Sequence, residues 1–299
     1  MKGEIKMNWT PYEISYMNMC KDILVEGELT SNRTGVDTYK LEHQIIQVNL
    51  EKELPILRTK KLFWKTAIDE ILWIMQKQSN NVKDLNSHIW DQWADEDGSI
   101  GKAYGYQVKQ YKQIDNLIDS LKNNPQNRRM IINLWNNHDL KDMNLEPCCL
   151  MSIWDVTRGR LNCMLIQRSG DVPVGVPFNT FQYAVLTHML AQVTGLKPGK
   201  LTHCISNAHI YVNQVDGIKK QIERYATMMD VVKKIAYAEF AGNKDIKLTH
   251  KEKEIHDIAN CTPKLELNKD IDDFYKFTIE DFDISDYKHM GKIDFPVVK

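Results

Sequence analysis

The sequence predicts an α+β domain, and three observations carry that expectation. Stretches with helical spacing of apolar residues flank a central block in which apolar residues alternate, so helices and strands are largely segregated along the chain. The helical stretches stop at glycine or proline, the residues that end helices. No repeat of fixed period, low-complexity tract or clear linker divides the 299 residues, which makes one domain over 1–299 the simplest organisation.

The elements follow in order. Thr10-Pro11 reads as a cap followed by a first-turn proline, and a helix opens there. Residues 40–50 (KLEHQIIQVNL) partly alternate and read as a strand. Residues 61–78 are expected to be a helix with Trp64, Ala67, Ile68, Ile71, Leu72 and Met75 on one stripe. A short amphipathic helix over 113–122 stops before Pro125. Residues 129–135 read as a strand, and 149–156 with 160–168 as a hairpin about the break Thr157-Arg158-Gly159. A long apolar helix over 178–194 ends at Gly195, with Pro198 just beyond. A strand over 201–206 and a helix starting near Tyr211 come next. Residues 226–268 are rich in Lys, Asp and Glu, contain the helical stretch MMDVVKKIAYAEF, and are expected to form a surface excursion of unassigned role. The last thirty residues regain aromatic, alternating character.

Composition excludes several classes. A hydrophobic content of 42% supports a substantial core, and a formal net charge of -1 gives no electrostatic footprint for nucleic acid or a membrane surface. No apolar run is long enough to span a bilayer. The opening MKGEIKMNWTPYE lacks the apolar core of a secretory signal, so cytoplasmic placement is expected. The six cysteines include no CxxC pair and no pair with His at ligand spacing. Reduced thiols are therefore expected, with neither a disulfide framework nor a metal site.

Among those thiols Cys148 has the context of a nucleophile. It follows Pro147 where a loop becomes a strand, a common position for functional groups. A thiol needs positive neighbours to ionise, and the hairpin as drawn brings Arg168 beside it. Arginine is scarce here, yet Arg33, Arg128, Arg129 and Arg168 sit at breaks beside Ser, Asn and Gly. Singly each reads as solvated surface charge; together they suggest a site for a phosphate monoester. No Walker or dinucleotide-binding glycine pattern occurs. Glu70 lies on an apolar helix stripe, either ion-paired or raised in pKa as a proton relay. Trp90 and Trp93 are core residues or a stacking wall for a flat ligand. Asn179 caps the apolar helix or reads a base edge. His209 and Tyr211 alternate on an extended segment and can share one pocket.

The stretches SNRTG, LRTKK, IDEILW, HIWDQWADEDGSIGKAYG, NRRMI, LEPCC, QRSGDVPVGVPFN and NAHIYVN, in this order from about Arg33 to Asn213, resemble the folate-dependent thymidylate synthase family. A weaker likeness runs from Phe274 to the end. The resemblance implies a large mixed β-sheet covered by helices, with sheet faces packed in a two-fold dimer. It implies that dUMP is converted to dTMP with 5,10-methylenetetrahydrofolate as donor of both carbon and hydride. Cys148 would attack C6 of dUMP. Arg33, Arg168 and Ser169, with Arg128 and Arg129 from the partner subunit, would bind its phosphate. Gly170 and Asn179 would lie along the uracil, and Asp171 would contact pyrimidine and folate. His209 and Tyr211 would hold the deoxyribose, and Glu70 with Tyr104 would relay protons. Phe63, Trp90, Trp93 and the tail residue Val298 would meet the folate.

Some positions depart from the family pattern. Cys149 follows the nucleophile where His is usual, which marks it as a place to look for oxidation sensitivity. Gly170 replaces Cys or Asn, Pro173 is unusual in its loop, Phe63 stands where His is frequent, Ser206-Asn207 replaces a Gly-Asp pair, and Lys299 extends the tail. Two other functions fit the same residues. One is a nucleotide hydroxymethylase, in which water replaces hydride; Asn179 and Trp90 argue against it. The other is a non-catalytic nucleotide- or RNA-binding relative, which the retention of Cys148, Asn179 and the arginines disfavours.

Overall fold

The computed structural model describes residues 10–242 and 246–298. The expectations placed on residues 1–9, on part of the 226–268 stretch and on Lys299 fall wholly or partly outside them. Helix α1 (Pro11–Glu26) leads into β1 (Glu28–Thr30) and β2 (Thr38–Asn49). Then come α2 (Trp64–Met75), α3 (Gly105–Gln110), α4 (Gln113–Asn123) and β3 (Ile131–Asn133). The hairpin β4 (Cys149–Thr157) and β5 (Arg160–Asp171) precedes α5 (Gly175–Val193) and β6 (Lys197–Tyr211). Helices α6 (Val215–Phe240) and α7 (His250–Asn260) and the short strands β7 (Lys264–Leu267) and β8 (Phe282–Ser285) complete the chain.

Six strands form one sheet in the order β1-β2-β6-β5-β4-β3, and β7 pairs with β8 separately. The sheet is mixed. β5 and β6 run parallel, joined by α5 as the crossover such a pair needs, and the other neighbours are antiparallel. The α+β class and the mixed, helix-covered sheet are as the sequence led one to expect. Arg158 (φ 52°) and Gly159 (φ 72°) are both left-handed. Two such residues build the tight turn that matches strand twist, so the hairpin register counts back from Thr157↔Arg160.

Several boundaries differ, each for a physical reason. α5 opens at Gly175, earlier than 178, because Pro177 sits in the first turn, where no amide bond is lost. Asn179 is therefore in the second turn and does not cap the helix, contrary to one of its two expected readings. α2 is shorter than 61–78 at both ends. Gln78 adopts φ 51°, which ends the helical path, and the Gln76 side-chain amide donates to the carbonyls of Phe274 and Phe277. β3 covers only 131–133 of the expected 129–135, whereas β6 runs far beyond 201–206 because β2 and β5 hold it on both edges. The 226–268 stretch, expected as a surface excursion, is mostly the outer part of α6 and all of α7. Met228, Val231, Ile255, Ile258 and Ala259 of these helices belong to the main core.

α5 is apolar on nearly every side and fills the middle of that core, with Phe181, Ala184, Val185, Leu186 and Leu190 sealed from solvent. Each of the larger side chains contributes about 1.5–3 kcal/mol by leaving water. One ion pair lies in the same interior. Arg58 Nε donates to Glu13 Oε2 at 2.9 Å, both side chains being fully buried. Glu13 Oε1 accepts from the amides of Arg58 and Thr59 and from the Thr59 hydroxyl. Arg58 Nη1 reaches the carbonyl of Ala259, so the pair ties α1 to α7. Replacing Glu13 by Ala strands a buried guanidinium and is expected to cost about 3–5 kcal/mol in denaturant unfolding; a loss under about 1 kcal/mol would show that the pair is not a tie.

Candidate active site

β4 carries an irregularity that decides which thiol is open and which is buried at the cleft. From Thr157↔Arg160 to Met151↔Ile166 the hairpin keeps one register, and it then shifts so that Cys149 stands opposite Gln167. A bulge adds a residue to one strand and re-aims the side chains beyond it. Cys149 consequently turns towards the core with Ser152 and Trp154, and although both thiols border the cleft, Cys148 is the more open of the two. The amide of Arg168 donates to the Cys148 carbonyl at 2.9 Å. The Arg168 guanidinium wraps the same turn, donating to the carbonyls of Pro147 and Glu146 and lying over the Trp135 ring.

The cleft has a volume of about 530 Å³. Its walls are largely apolar, from Ile71, Ile74, Leu145, Phe178 and the rings of Trp90 and Trp93. Trp90 is nearly buried, lies tilted at 5.4 Å from Trp93 and edge-on at 4.9 Å to Tyr104, as a core residue does, and also borders the cleft. Val297, one place before the expected Val298, reaches this cleft.

Polar groups cluster at one end. Glu70 accepts from Trp90 Nε1 at 2.7 Å and from Gln182 Nε2 at 2.6 Å. Burial raises its pKa, and these two donors pull against the shift. Asn179 Nδ2 donates to Gln182 Oε1 at 3.2 Å, so one buried amide joins Asn179 to Glu70. Tyr104 takes the unusual backbone φ 46° and accepts the Cys148 amide on its hydroxyl at 3.2 Å. Gly105 allows this, since a Cβ there would sit 2.1 Å from the Ser79 carbonyl oxygen. Burial pushes the Cys148 thiol up, while Arg168 and Arg33 draw it down. Cys149 is raised well above the usual thiol value by burial, and its sulfur lies 3.6 Å from Gln167 Oε1. A buried protonated thiol is not an oxidation-prone one, which runs against the expectation attached to Cys149.

A second cluster stands beside the first. Asp171, at the end of β5, pairs in register with His209 of β6. His209 and Tyr211 meet edge-on at 5.1 Å on one side of that strand. Ser169 and Gly170 precede Asp171; a Cβ at Gly170 would come within 2.8 Å of Ile205 and 2.9 Å of Val176, so this chain packs against a bare backbone there. Asp171 accepts from the amide of Val174 and from Gln214 Nε2. Burial lifts it from the usual 3.8 to about 6, against the pull of Gln214, Val174 and Lys60. An acid raised on folding holds its proton more tightly in the folded state, so its share of stability is present at low pH and is lost as pH rises through about 6. Between about pH 7.5 and 5 the protein should therefore gain about 1 kcal/mol relative to Asp171→Asn, measured by urea unfolding; parallel pH profiles would refute the assignment.

Not every expected residue is gathered. Arg33 is exposed in the loop before β2 and acts on Cys148 through its charge. Arg128 and Arg129 are exposed and remote: the Met130 carbonyl accepts from the Trp154 amide, six residues beyond Cys148 on β4, or roughly 20 Å. Phe63 is exposed ahead of α2 beneath the Lys61 ammonium. Three buried polar residues went unread in the sequence. Gln182 had a signal, a polar side chain three residues from Asn179 in an apolar helix. Lys60 and Gln214 had none. Lys60 donates to the Pro173 carbonyl, and burial lowers it to about 8.

A thiol, a raised acid and a paired amide on the wall of an apolar cleft define a catalyst able to hold a flat ring against tryptophan and attack it. Comparison with known proteins narrows that class. The family model described as thymidylate synthase matches residues 14–250. A thymidylate synthase of Clostridium beijerinckii is 53% identical over 289 residues, covering 96% of this chain and 98% of its own. Thymidylate synthase 1 of Bacillus subtilis strain 168 is 38% identical over 309 residues, covering 96% and 99%. Among solved structures, the thermostable thymidylate synthase A from Bacillus subtilis superposes with a TM-score of 0.79 at 36% identity, covering 96% of this chain and 99% of that one. The chain belongs to the thymidylate synthase family.

Proposed function

We propose that this chain performs the family's reaction, the reductive methylation of dUMP to dTMP, with Cys148 as nucleophile. The carrying observation is the placement of Cys148 against Arg168 in the cleft that holds Glu70, Asn179 and Trp90. The Cys148 thiolate forms a bond to C6 of the uracil, and the C5–C6 π electrons move towards the C4 carbonyl, which makes C5 a nucleophile. Asn179, oriented by Gln182, donates to and accepts from the uracil edge. Glu70, with a raised pKa, passes protons to and from the ring oxygen side with Tyr104 beside it. When the C5 proton has left and the methyl group is complete, the sulfur–C6 bond breaks and Cys148 is restored. 5,10-Methylenetetrahydrofolate supplies both the carbon and the hydride and leaves as dihydrofolate, so the chemistry itself calls for no metal or nicotinamide.

The residues fit that co-substrate. Trp90, Trp93, Ile71 and Phe178 form an apolar slot sized for a flat bicycle and an aromatic ring, with Val297 at its edge and Asp171 beyond. Phe63 and Val298 are assigned to the outer part of the folate. Arg33, Arg168 and Ser169 take the phosphate, Gly170 gives room beside the pyrimidine, and His209 and Tyr211 hold the sugar.

The assembly is a homodimer built on the outer face of the sheet. Two rows cross that face in register: Ile131, Ile153, Met164, Thr202, Gln47, and Asn133, Met151, Ile166, Cys204, Ile45. Ile45, Ile131 and Met164 are 61%, 44% and 41% exposed in the lone chain, and an apolar patch of this kind on a soluble enzyme marks an interface. One catalytic domain over 1–299 accords with the continuous core. All six cysteines are free, which accords with the cytoplasm; no described helix is long and apolar enough to cross a membrane.

One assay tests the reading. Incubated with dUMP and methylenetetrahydrofolate, the protein should yield dihydrofolate, followed by absorbance, and dTMP, identified by mass. Hydroxymethyl-dUMP without dihydrofolate would instead establish the hydroxymethylase.

A further inference from the structure

Gln214 is the first buried residue after β6, in the single turn that leads into α6. Its side chain meets three different parts of the molecule. Oε1 accepts from the Tyr211 amide at 3.1 Å. Nε2 donates to Asp171 Oδ2 at 3.1 Å and to the carbonyl of Pro296 at 2.9 Å. The amide has one oxygen and two N–H groups, and all are engaged. No other side chain among the described residues joins the end of β5, the end of β6 and the C-terminal segment by hydrogen bonds in this way.

The C-terminal segment is otherwise held from behind. Arg224 Nη1 donates to the carbonyls of Thr59 and Gly291, and the Phe295 ring packs on Gly217 and under the Lys60 ammonium. Those contacts seat the segment on α6 and, through Lys60, reach Asp171 by charge alone. Past Phe295, Val297 enters the cleft. The Pro296 carbonyl is thus where the tail is hydrogen-bonded to a side chain that is itself hydrogen-bonded to Asp171.

We infer that Gln214 is a positioning residue that couples seating of the C-terminal tail to the placement of Asp171 and Tyr211. This rests on the reading of Asp171 and Tyr211 as parts of the nucleotide site. With the tail seated, the Gln214 amide is pinned at the Pro296 carbonyl, and its second N–H and its oxygen then fix the carboxylate and the strand end. With the tail away, the same amide is free to rotate, and Asp171 loses an aligned donor. A donor to a carboxylate favours the charged form, and Gln214 is the largest of the groups lowering Asp171. Lys60 from the segment before α2, Tyr16 from α1, Cys148 just ahead of β4 and His209 and Tyr211 from β6 also face Asp171, and every variant below leaves them intact.

The test uses the full-length chain, Gln214→Leu, and a chain ending at Phe295. In Gln214→Leu, kcat should fall about tenfold, the worth of one charge-assisted hydrogen bond, with little change in the KM for dUMP. The acid limb of kcat should move to higher pH, and the amides of Val297 and Val298 should exchange hydrogen faster. A wild-type kcat and acid limb, or unchanged tail exchange, would overturn the inference. If Gln214→Leu shows no cooperative melt, the chain ending at Phe295 decides. It keeps Gln214, and its Tyr211 amide should exchange faster than in the full chain; equal exchange overturns the coupling. A full-length protein that folds but forms no dihydrofolate would defeat the reading of the site instead, and the exchange measurements would still report on Gln214.

Discussion

Cys148→Ala is expected to lower kcat by about four orders of magnitude or more, because the step it removes is bond formation to the ring and the other thiol at the cleft, Cys149, is buried and held protonated. Cys149→Ala should keep most activity. The two thiols are adjacent in sequence but not in environment. Cys149 faces Ser152, Trp154 and Gln167 in the interior, and burial raises it well above the usual thiol value. Cys148 lines the cleft beside Arg168. Its thiol is also raised in the free protein, so alkylation by iodoacetamide should quicken towards alkaline pH rather than plateau near neutrality. Mass mapping of the alkylated chain identifies the residue. Full activity in Cys148→Ala, or its loss in Cys149→Ala alone, would transfer the role to the neighbour.

That distinction also marks how far the sequence could be read. The Arg158-Gly159 turn was legible, and counting back from it brought Arg168 to the start of the opposite strand. The count by itself sets Cys149, not Cys148, opposite Arg168. The bulge between Cys149 and Met151 moves the pairing by one residue, and a bulge has no signature in this stretch of apolar residues. Glu70 was legible as an acid on an apolar stripe, and the structure supplies the two donors that hold it. Gln182 was half legible. Gln214 was not, because its role depends on three segments that meet only in the folded chain. The helix stops at Gly195 and Pro125 were read correctly from local chemistry, whereas the length of β6 comes from its two neighbours and no local rule carries it. For the same reason the Lys- and Asp-rich stretch misled: charges on the outer faces of α6 and α7 hid the buried stripe of Met228, Val231, Ile255 and Ile258.

Arg128 and Arg129 lead to the other large effect. They stand roughly 20 Å from their own Cys148 along β4, at the edge of the exposed sheet face, with side chains open to solvent. In the proposed dimer, two-fold packing of that face would make an isologous interface, in which a group remote from its own site can complete the partner's. If both arginines hold the partner's phosphate as proposed, replacing them by Ala is expected to lower kcat/KM for dUMP about a thousandfold, the worth of two charge-assisted contacts. The decisive measurement is complementation. A Cys148→Ala chain keeps both arginines, and the Arg128→Ala/Arg129→Ala chain keeps its thiol. Dissociated, mixed in equal amounts and reassociated, half of the dimers are hybrids with one complete site each, so roughly a quarter of wild-type activity should return. Raising the share of either parent should lower that yield. No recovery from two parents that each still form dimers would mean that the arginines serve their own subunit or none, and the phosphate site would then be built from Arg33 and Arg168 alone.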